Sequence, residues 1–241
     1  MLVASYTERP DLAARTGEIE DVWPEFIHHA SINEVYWPRL RHEFPDFQIV
    51  LYDDEADVLL GRGQTVPFRR EGRWDDLPDG VEGVLRQAFD VGDEPTTLSA
   101  LVAVVDPRHQ GRGLSRLVIE GMRVVAARHG LDSLVAPVRP TLKARYPLTP
   151  IERYLAWRRD DGSLFDPWLR VHERVGAEIV GVCPGSLVVE GAVAEWEEWT
   201  GMVFPDSGEY VVEGALVTVA IDREADIGRY VEPNVWMRHP V

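Results

Sequence analysis

Residues 97–138 read as strand, glycine loop, helix, strand, and that order admits few folds. The run TLSALVAVV (97–105) is apolar and rich in β-branched residues, and Asp106-Pro107 ends it. Leu114, Leu117, Val118, Met122 and Val125 then recur at helical spacing up to Gly130, a residue suited to the left-handed position after a helix. LDSLVAPV (131–138) is a second apolar run. Two strands joined through a helix lie parallel in one sheet, the crossover is right-handed, and a parallel pair has to be covered on both faces. The expected class is therefore α/β.

The remaining segments fit around that unit. Between 18 and 44, Ile19, Val22, Trp23, Phe26, Ile27 and Ala30 repeat with helical spacing, with Pro24 and Pro38 dividing the stretch. Residues 47–52 and 58–68 read as two paired strands, and 81–89 as a short helix. After 138 comes a long irregular segment, in which Thr149, Pro150 and Glu152 mark the start of a short helix to about 159. Asp166 and Pro167 are the N-cap and first residue of a helix that stops at Gly176, followed by a strand at 177–183. An insertion (191–208), a closing strand at 210–221 and an irregular end complete the chain. No repeat or linker separates a second unit, so 1–241 is expected as one domain with its core at about 18–183 and an extension at 184–241.

Charge narrows the partners. With 25 Lys plus Arg against 41 Asp plus Glu, a net charge of −16 repels nucleic acid and anionic membrane surfaces, so neither is an expected partner; a homodimer stays open. Cys183 is the single cysteine, which excludes an internal disulfide and favours a buried, inert thiol in a reducing compartment. No run of ~18 apolar residues and no leader pattern is present, and a soluble cytoplasmic protein is the expectation.

Against that background Arg108, Arg112 and Arg116 surround one helix N-terminus. Unpaired N–H groups already make that end positive, so further cations are unfavourable unless an anion sits among them. Gly111 and Gly113 clear the approach to the backbone. The dinucleotide pattern fails, because its third glycine would fall on Arg116, and no Gly-Lys-Ser/Thr follows for a P-loop.

The segment resembles the pyrophosphate loop of the GNAT superfamily, the acyl-coenzyme A dependent N-acyltransferases. That loop has Gln or Arg, two free positions, Gly, one free position and Gly or Ala, after a strand ending in Val-x-Pro. Here Val105, Asp106 and Pro107 lead into Gln110, Gly111, Arg112, Gly113, Leu114 and Ser115, with Ser115 departing from the usual Gly or Ala. The resemblance implies a mixed, mostly antiparallel twisted sheet with a central parallel strand pair and flanking helices, here with an enlarged C-terminal part. It implies transfer of an acyl group, acetyl first, from acyl-coenzyme A to the amine of a small molecule, without a metal. It also implies that Val104 and Val105 offer backbone groups to the pantetheine arm, and residues 110–115 the phosphate cradle. A noncatalytic acyl-coenzyme A sensing module and a protein N-acetyltransferase are the alternatives.

Attack of an amine on a thioester needs a proton acceptor for the ammonium and a proton for the leaving sulfur. Where the family carries Tyr-Glu-x-x-Gly-Phe, this chain has His172, Glu173, Arg174, Val175, Gly176 and Ala177. By resemblance His172 takes the general-acid position, and an imidazole with an ordinary pKa of about 6.5 can donate or accept at neutral pH. Tyr146 and Tyr154 are reserve candidates. The base is unassigned, because 97–105 contains no glutamate and only Thr97 and Ser99 as polar side chains.

Between Arg139 and Asp161, Arg139, Lys143, Arg145, Arg153, Arg158 and Arg159 outnumber Glu152, Asp160 and Asp161. Either they pair with surface carboxylates, or they meet an anionic group on the acceptor, with Arg145 as the residue expected to do so. Glu25 and His28 are spaced like one half of a carboxylate metal site but lack a second copy, and read as a solvated helix face. Trp196 and Trp199 read as core.

Overall fold

In the computed structural model, which describes residues 1–20, 22–74 and 76–241, nine strands form one mixed sheet. Strands β1 (Leu2–Ser5), β2 (Ile49–Asp53), β3 (Val58–Phe68) and β4 (Thr97–Val105) pair antiparallel in that order. β4 then lies parallel to β5 (Ser133–Val138), and β5 antiparallel to the last strand, β9 (Ile227–Pro240). β6 (Glu178–Gly191) runs along the other edge of β9, while β8 (Val219–Asp222) continues the edge that β5 leaves, with β7 (Gly208–Tyr210) beyond it.

The alternation of a strand's side chains decides what covers each face. Leu98 and Leu134 lie under α5 (Leu114–Arg128), against Leu114, Val118 and Met122. On the same side, Ala136, Val138, Val235 and Met237 pack with Ile151 and Tyr154 of α6 (Ile151–Leu155) and Leu169 of α7 (Pro167–Arg174). The intervening residues Val135, Tyr230 and Trp236 turn to the other face, where they meet Val84 and Leu85 of α4 (Gly80–Arg86), Phe26, and Trp196 of α8 (Val193–Thr200). All six β5 residues are buried, as a strand covered on both faces must be.

The local signals that are strongest in the sequence appear as elements. β3 and β4 occupy 58–68 and 97–105, and Asp166 Oδ1 caps α7 by accepting from the N–H groups of Trp168 and Leu169 at 2.9 and 3.2 Å. Gly176, with φ +90°, ends it.

Elsewhere the tertiary structure overrides the pattern. The 18–44 stretch is divided into pieces, as Pro24 and Pro38 imply, but is only partly α-helical: Thr16–Glu18 and Glu25–His29 are short 3-10 helices, followed by the short helices Ser31–Val35 and Trp37–Glu43. Pro24 precedes the second turn and Pro38 sits in the first turn of the last helix, so each proline marks a start, where its missing N–H costs nothing. Pro150 rather than Thr149 is the N-cap of α6, without a side-chain cap, and α6 ends at Leu155. The expected closing strand at 210–221 survives only as β7 and β8, and the end expected to be irregular is the 14-residue β9. Pro233 disguises it. Opposite Pro233 the pairing with β6 is interrupted between Cys183 and Leu187, where β6 has its own Pro184, so neither proline breaks a ladder bond. Leu2–Ser5 and the helix Pro10–Ala14 had no counterpart in the sequence reading.

Cys183 is buried, and burial pushes its thiol up to about 11. Among the described residues no helix is long and apolar enough to cross a membrane.

Candidate active site

β4 and β5 pair only at Thr97 with Ser133, Leu98 with Leu134 and Ser99 with Val135; from there on they part. At the same level β4 bulges: Thr65 of β3 faces Ala100 and Gln64 faces Val102, leaving Leu101 as the extra residue. A bulge frees backbone groups from the ladder, and unpaired buried backbone groups call for another partner. A cavity of about 820 Å³ opens in this gap, walled by residues 100–105 of β4 and 136–138 of β5.

One mouth of the cavity is the glycine loop. Gly111 and Gly113 have φ of +77° and +73°, and a Cβ on either would meet nothing within 4 Å. Glycine is thus required by the backbone conformation, and the space above the loop is open. Gly113 starts α5 without a side-chain cap. Gln110 Nε2 donates to Val105 O at 3.2 Å and closes the loop onto β4. Gln110, Gly111, Gly113, Leu114 and Ser115 all line the cavity, as do Val104 and Val105.

The three arginines differ in state. Arg108 clamps the buried Asp106 through Nε and Nη2 at 2.9 and 2.6 Å, and this guanidinium, assisted by the Arg108 N–H, holds the Asp106 carboxyl at about 2. Arg108 is therefore a brace for the loop. Arg116 pairs with Glu120 one turn on, at 2.7 Å. Arg112 is exposed and has no hydrogen bond or ion pair among the described residues. An open helix N-terminus, a glycine-cleared approach and one uncommitted arginine fit a pyrophosphate.

On the face covered by α5, α6 and α7, His172 of α7 reaches the cavity wall. Its side chain is buried, Nδ1 stands 2.9 Å from His239 Nε2, and its Nε2 has no partner. Burial, with a smaller contribution from His239, pushes His172 down to about 3; burial and Arg123 push His239 down to about 4. Both rings are neutral at pH 7. Tyr146 does not line the cavity: it packs against Tyr154, Trp157 and Phe165 and is 36% exposed. Tyr154 is buried and donates to Asp166 Oδ2 at 2.8 Å, and burial and that carboxylate raise its pKa. It too lies off the lining. Of the two polar side chains of β4, Thr97 donates to Asp132 at 3.2 Å and the buried Ser99 hydroxyl has no partner; neither lines the cavity.

On the opposite face the cavity ends in a polar chamber that the sequence reading missed. Glu232 of β9 is 3% exposed, and its Oε2 accepts from Arg139 Nε at 2.9 Å and from the Tyr230 hydroxyl at 2.8 Å. Burial works against the Arg139 charge, but Glu232 and Tyr230 outweigh it and keep the guanidinium firmly protonated. Arg139 Nη2 donates to Gly214 O at 2.6 Å, and its guanidinium carbon stands 5.8 Å from the centre of the Trp23 ring. Asn234 Nδ2 donates to Pro137 O and Ser186 Oγ at 3.3 and 2.9 Å. The readable signal for this strand was period two: Tyr230, Glu232, Asn234 and Trp236 share one face.

Among the six cations between 139 and 161, Arg139 alone lines the cavity. Lys143 is buried, donating to Tyr146 O and Leu216 O at 2.9 and 2.5 Å, and Arg145 is exposed away from the lining. The other lining cations are Arg41 and Arg62, and Arg62 Nε is buried without a partner. Trp196 is core and Trp199 stacks on His29 at 4.2 Å; Glu25 meets His29 at 3.3 Å.

No protein-family model matches the chain. It is 32% identical, over a 267-residue alignment covering 97% of this chain and 91% of the relative, to the arginine N-acetyltransferase avaD of Aspergillus versicolor. In fold it is similar to the loading GNATL domain of CurA from Lyngbya majuscula, at TM-score 0.60 and 19% identity over 99% of this chain and 96% of that one. The GphF GNAT-like decarboxylase in complex with isobutyryl-CoA is similar at TM-score 0.60 and 18% identity, over 100% and 99%. The relative at 32% identity, together with a mixed sheet split at its parallel pair beside a glycine loop, marks the chain as an acyl-coenzyme A dependent N-acyltransferase. The chain belongs to the GNAT superfamily.

Proposed function

We propose that the enzyme moves an acetyl group from acetyl-coenzyme A to the amine of an amino acid, with arginine as the first acceptor to test. The observation that carries this reading is one cavity joining the glycine loop on the α5 face to a polar chamber on the other face. The loop 110–115 and Arg112 hold the pyrophosphate, and the backbone of Val104 and Val105 pairs with the pantetheine arm. The thioester supplies an activated carbonyl, and the backbone of the Leu101 bulge supports its oxygen. His172, neutral, offers an N–H to the departing sulfur, with His239 holding the ring. Arg62 and Arg41 suit a carboxylate on the acceptor. The relative from Aspergillus versicolor, an arginine N-acetyltransferase, supports an acceptor of this class.

Acetyl-coenzyme A turnover, followed by free-thiol release against a panel of amino acids, their decarboxylated amines and a peptide N-terminus, tests the reading. Arginine is expected to outperform its decarboxylated amine. Equal use of the two removes the carboxylate requirement, and coenzyme A binding without turnover of any amine returns the chain to a sensing role.

A further inference from the structure

Two acceptor atoms on buried side chains of the chamber have no donor among the described residues. Glu232 Oε2 is saturated by Arg139 and Tyr230, and no described residue donates to Oε1. Asn234 is locked by its two donated bonds, which leaves its Oδ1 buried and unpartnered. The two residues are i and i+2 on β9, so both project to the same face and both line the cavity. Asn234 is bonded to Pro137, two residues beyond Val135, the last β5 residue paired with β4, and therefore beside the point where the sheet splits.

We infer that Glu232 Oε1 and Asn234 Oδ1 receive the acceptor's ammonium group and that Glu232 takes its proton. This deepens the proposed function and rests on it. A buried carboxylate with one oxygen held by two donors and the other free, beside an amide fixed with its oxygen inward, matches a group that offers several N–H donors and carries positive charge. The sheet itself separates the base from the hydrogen bond that receives the sulfur. Glu232 and Asn234 share the face of Val135, Tyr230 and Trp236, whereas His172 lies on the face of Ala136, Val138 and Leu169. An amine approaching a carbonyl in the split meets the base on one side, and the sulfur leaves toward the other. The balance is closed: the N–C bond forms as the C–S bond breaks, one ammonium proton goes to Glu232 Oε1 and on to solvent, the second passes from the nitrogen of the tetrahedral adduct to the departing sulfur, and the His172 N–H hydrogen-bonds that sulfur while keeping its own proton.

The test is turnover of acetyl-coenzyme A with L-arginine and with L-norleucine, which has no second cation. Glu232→Gln is expected to lower kcat by roughly 10²-fold or more with both acceptors, while the thermal shift produced by coenzyme A is unchanged. Asn234→Leu is expected to raise the acceptor KM on the order of 10-fold with both. A loss confined to arginine and expressed in KM makes Glu232 a side-chain pocket and overturns the assignment, as does near-normal turnover of Glu232→Gln. Should Glu232→Gln not fold, Glu232→Asp keeps the charge for Arg139, withdraws the free oxygen by one methylene and carries the same expectation. With no turnover by the parent protein, the transfer reading fails separately. Calorimetric binding of L-arginine to the coenzyme A complex then decides the site: affinity lost in both Glu232→Gln and Asn234→Leu upholds it, and affinity retained in both overturns it.

Discussion

His172 Nδ1 and His239 Nε2 meet at 2.9 Å inside the protein, tying α7 to β9. Burial holds both rings well below the ordinary histidine value, at about 3 and about 4. The unfolded chain therefore binds more protons than the native state below an ordinary pKa of about 6.5, and acid destabilises the fold through this pair. The loss begins near pH 6.5 and grows toward pH 4, with a slope of up to about 1.4 kcal/mol per pH unit per histidine, and no contribution remains above that window. Urea unfolding at pH 7.5, 6.0 and 5.0 checks it. The parent should weaken across the series, and a His172→Gln, His239→Gln variant should weaken less.

The same pair bears on catalysis. His172→Ala is expected to lower turnover by roughly 10²-fold with little change in coenzyme A affinity. Because the ring is already neutral at pH 5, His172 should contribute no titration limb to the rate between pH 5 and 8. Near-normal turnover in His172→Ala would return the residue to packing against Trp168 and His239.

Coenzyme A should raise the melting temperature, since a ligand at 100 times its Kd stabilises by about 2.7 kcal/mol. Gly113→Val should abolish the shift, because valine does not tolerate the φ of +73° that aims the first turn of α5 at the ligand. No shift in the parent at millimolar coenzyme A, or a retained shift in a folded Gly113→Val, contradicts the phosphate assignment.

Arg62→Ala should raise KM for arginine on the order of 10-fold and leave its decarboxylated amine unaffected, because a charge-assisted hydrogen bond to the carboxylate is lost. Arg145→Ala should change neither, since Arg145 lies off the cavity. The reverse result, with Arg145 sensitive and Arg62 silent, would point to a different acceptor route.

The parts legible in advance are those whose cause is local. The β4, α5, β5 unit announces itself through β-branched runs, an apolar stripe at helical spacing and glycines at positive φ, and each of these acts over a few residues. Asp166-Pro167 and Gly176 bound α7 for the same reason. Even the distinction among the loop arginines was half visible, because Asp106 stands two residues before Arg108.

By itself, then, the amino-acid order determined a parallel pair, a glycine loop and the helix that carries His172. The polar chamber around Glu232 was decided by tertiary structure alone. Glu232 and Asn234 flank a proline and resemble loop residues until β5 and β6 close on both edges of β9. His172 finds its partner 67 residues away, and Leu101 becomes a bulge only through its register against β3. A side chain's burial, and the partners that saturate one of its oxygens and leave the other free, are set by strands remote in sequence. Local periodicity carries no record of them.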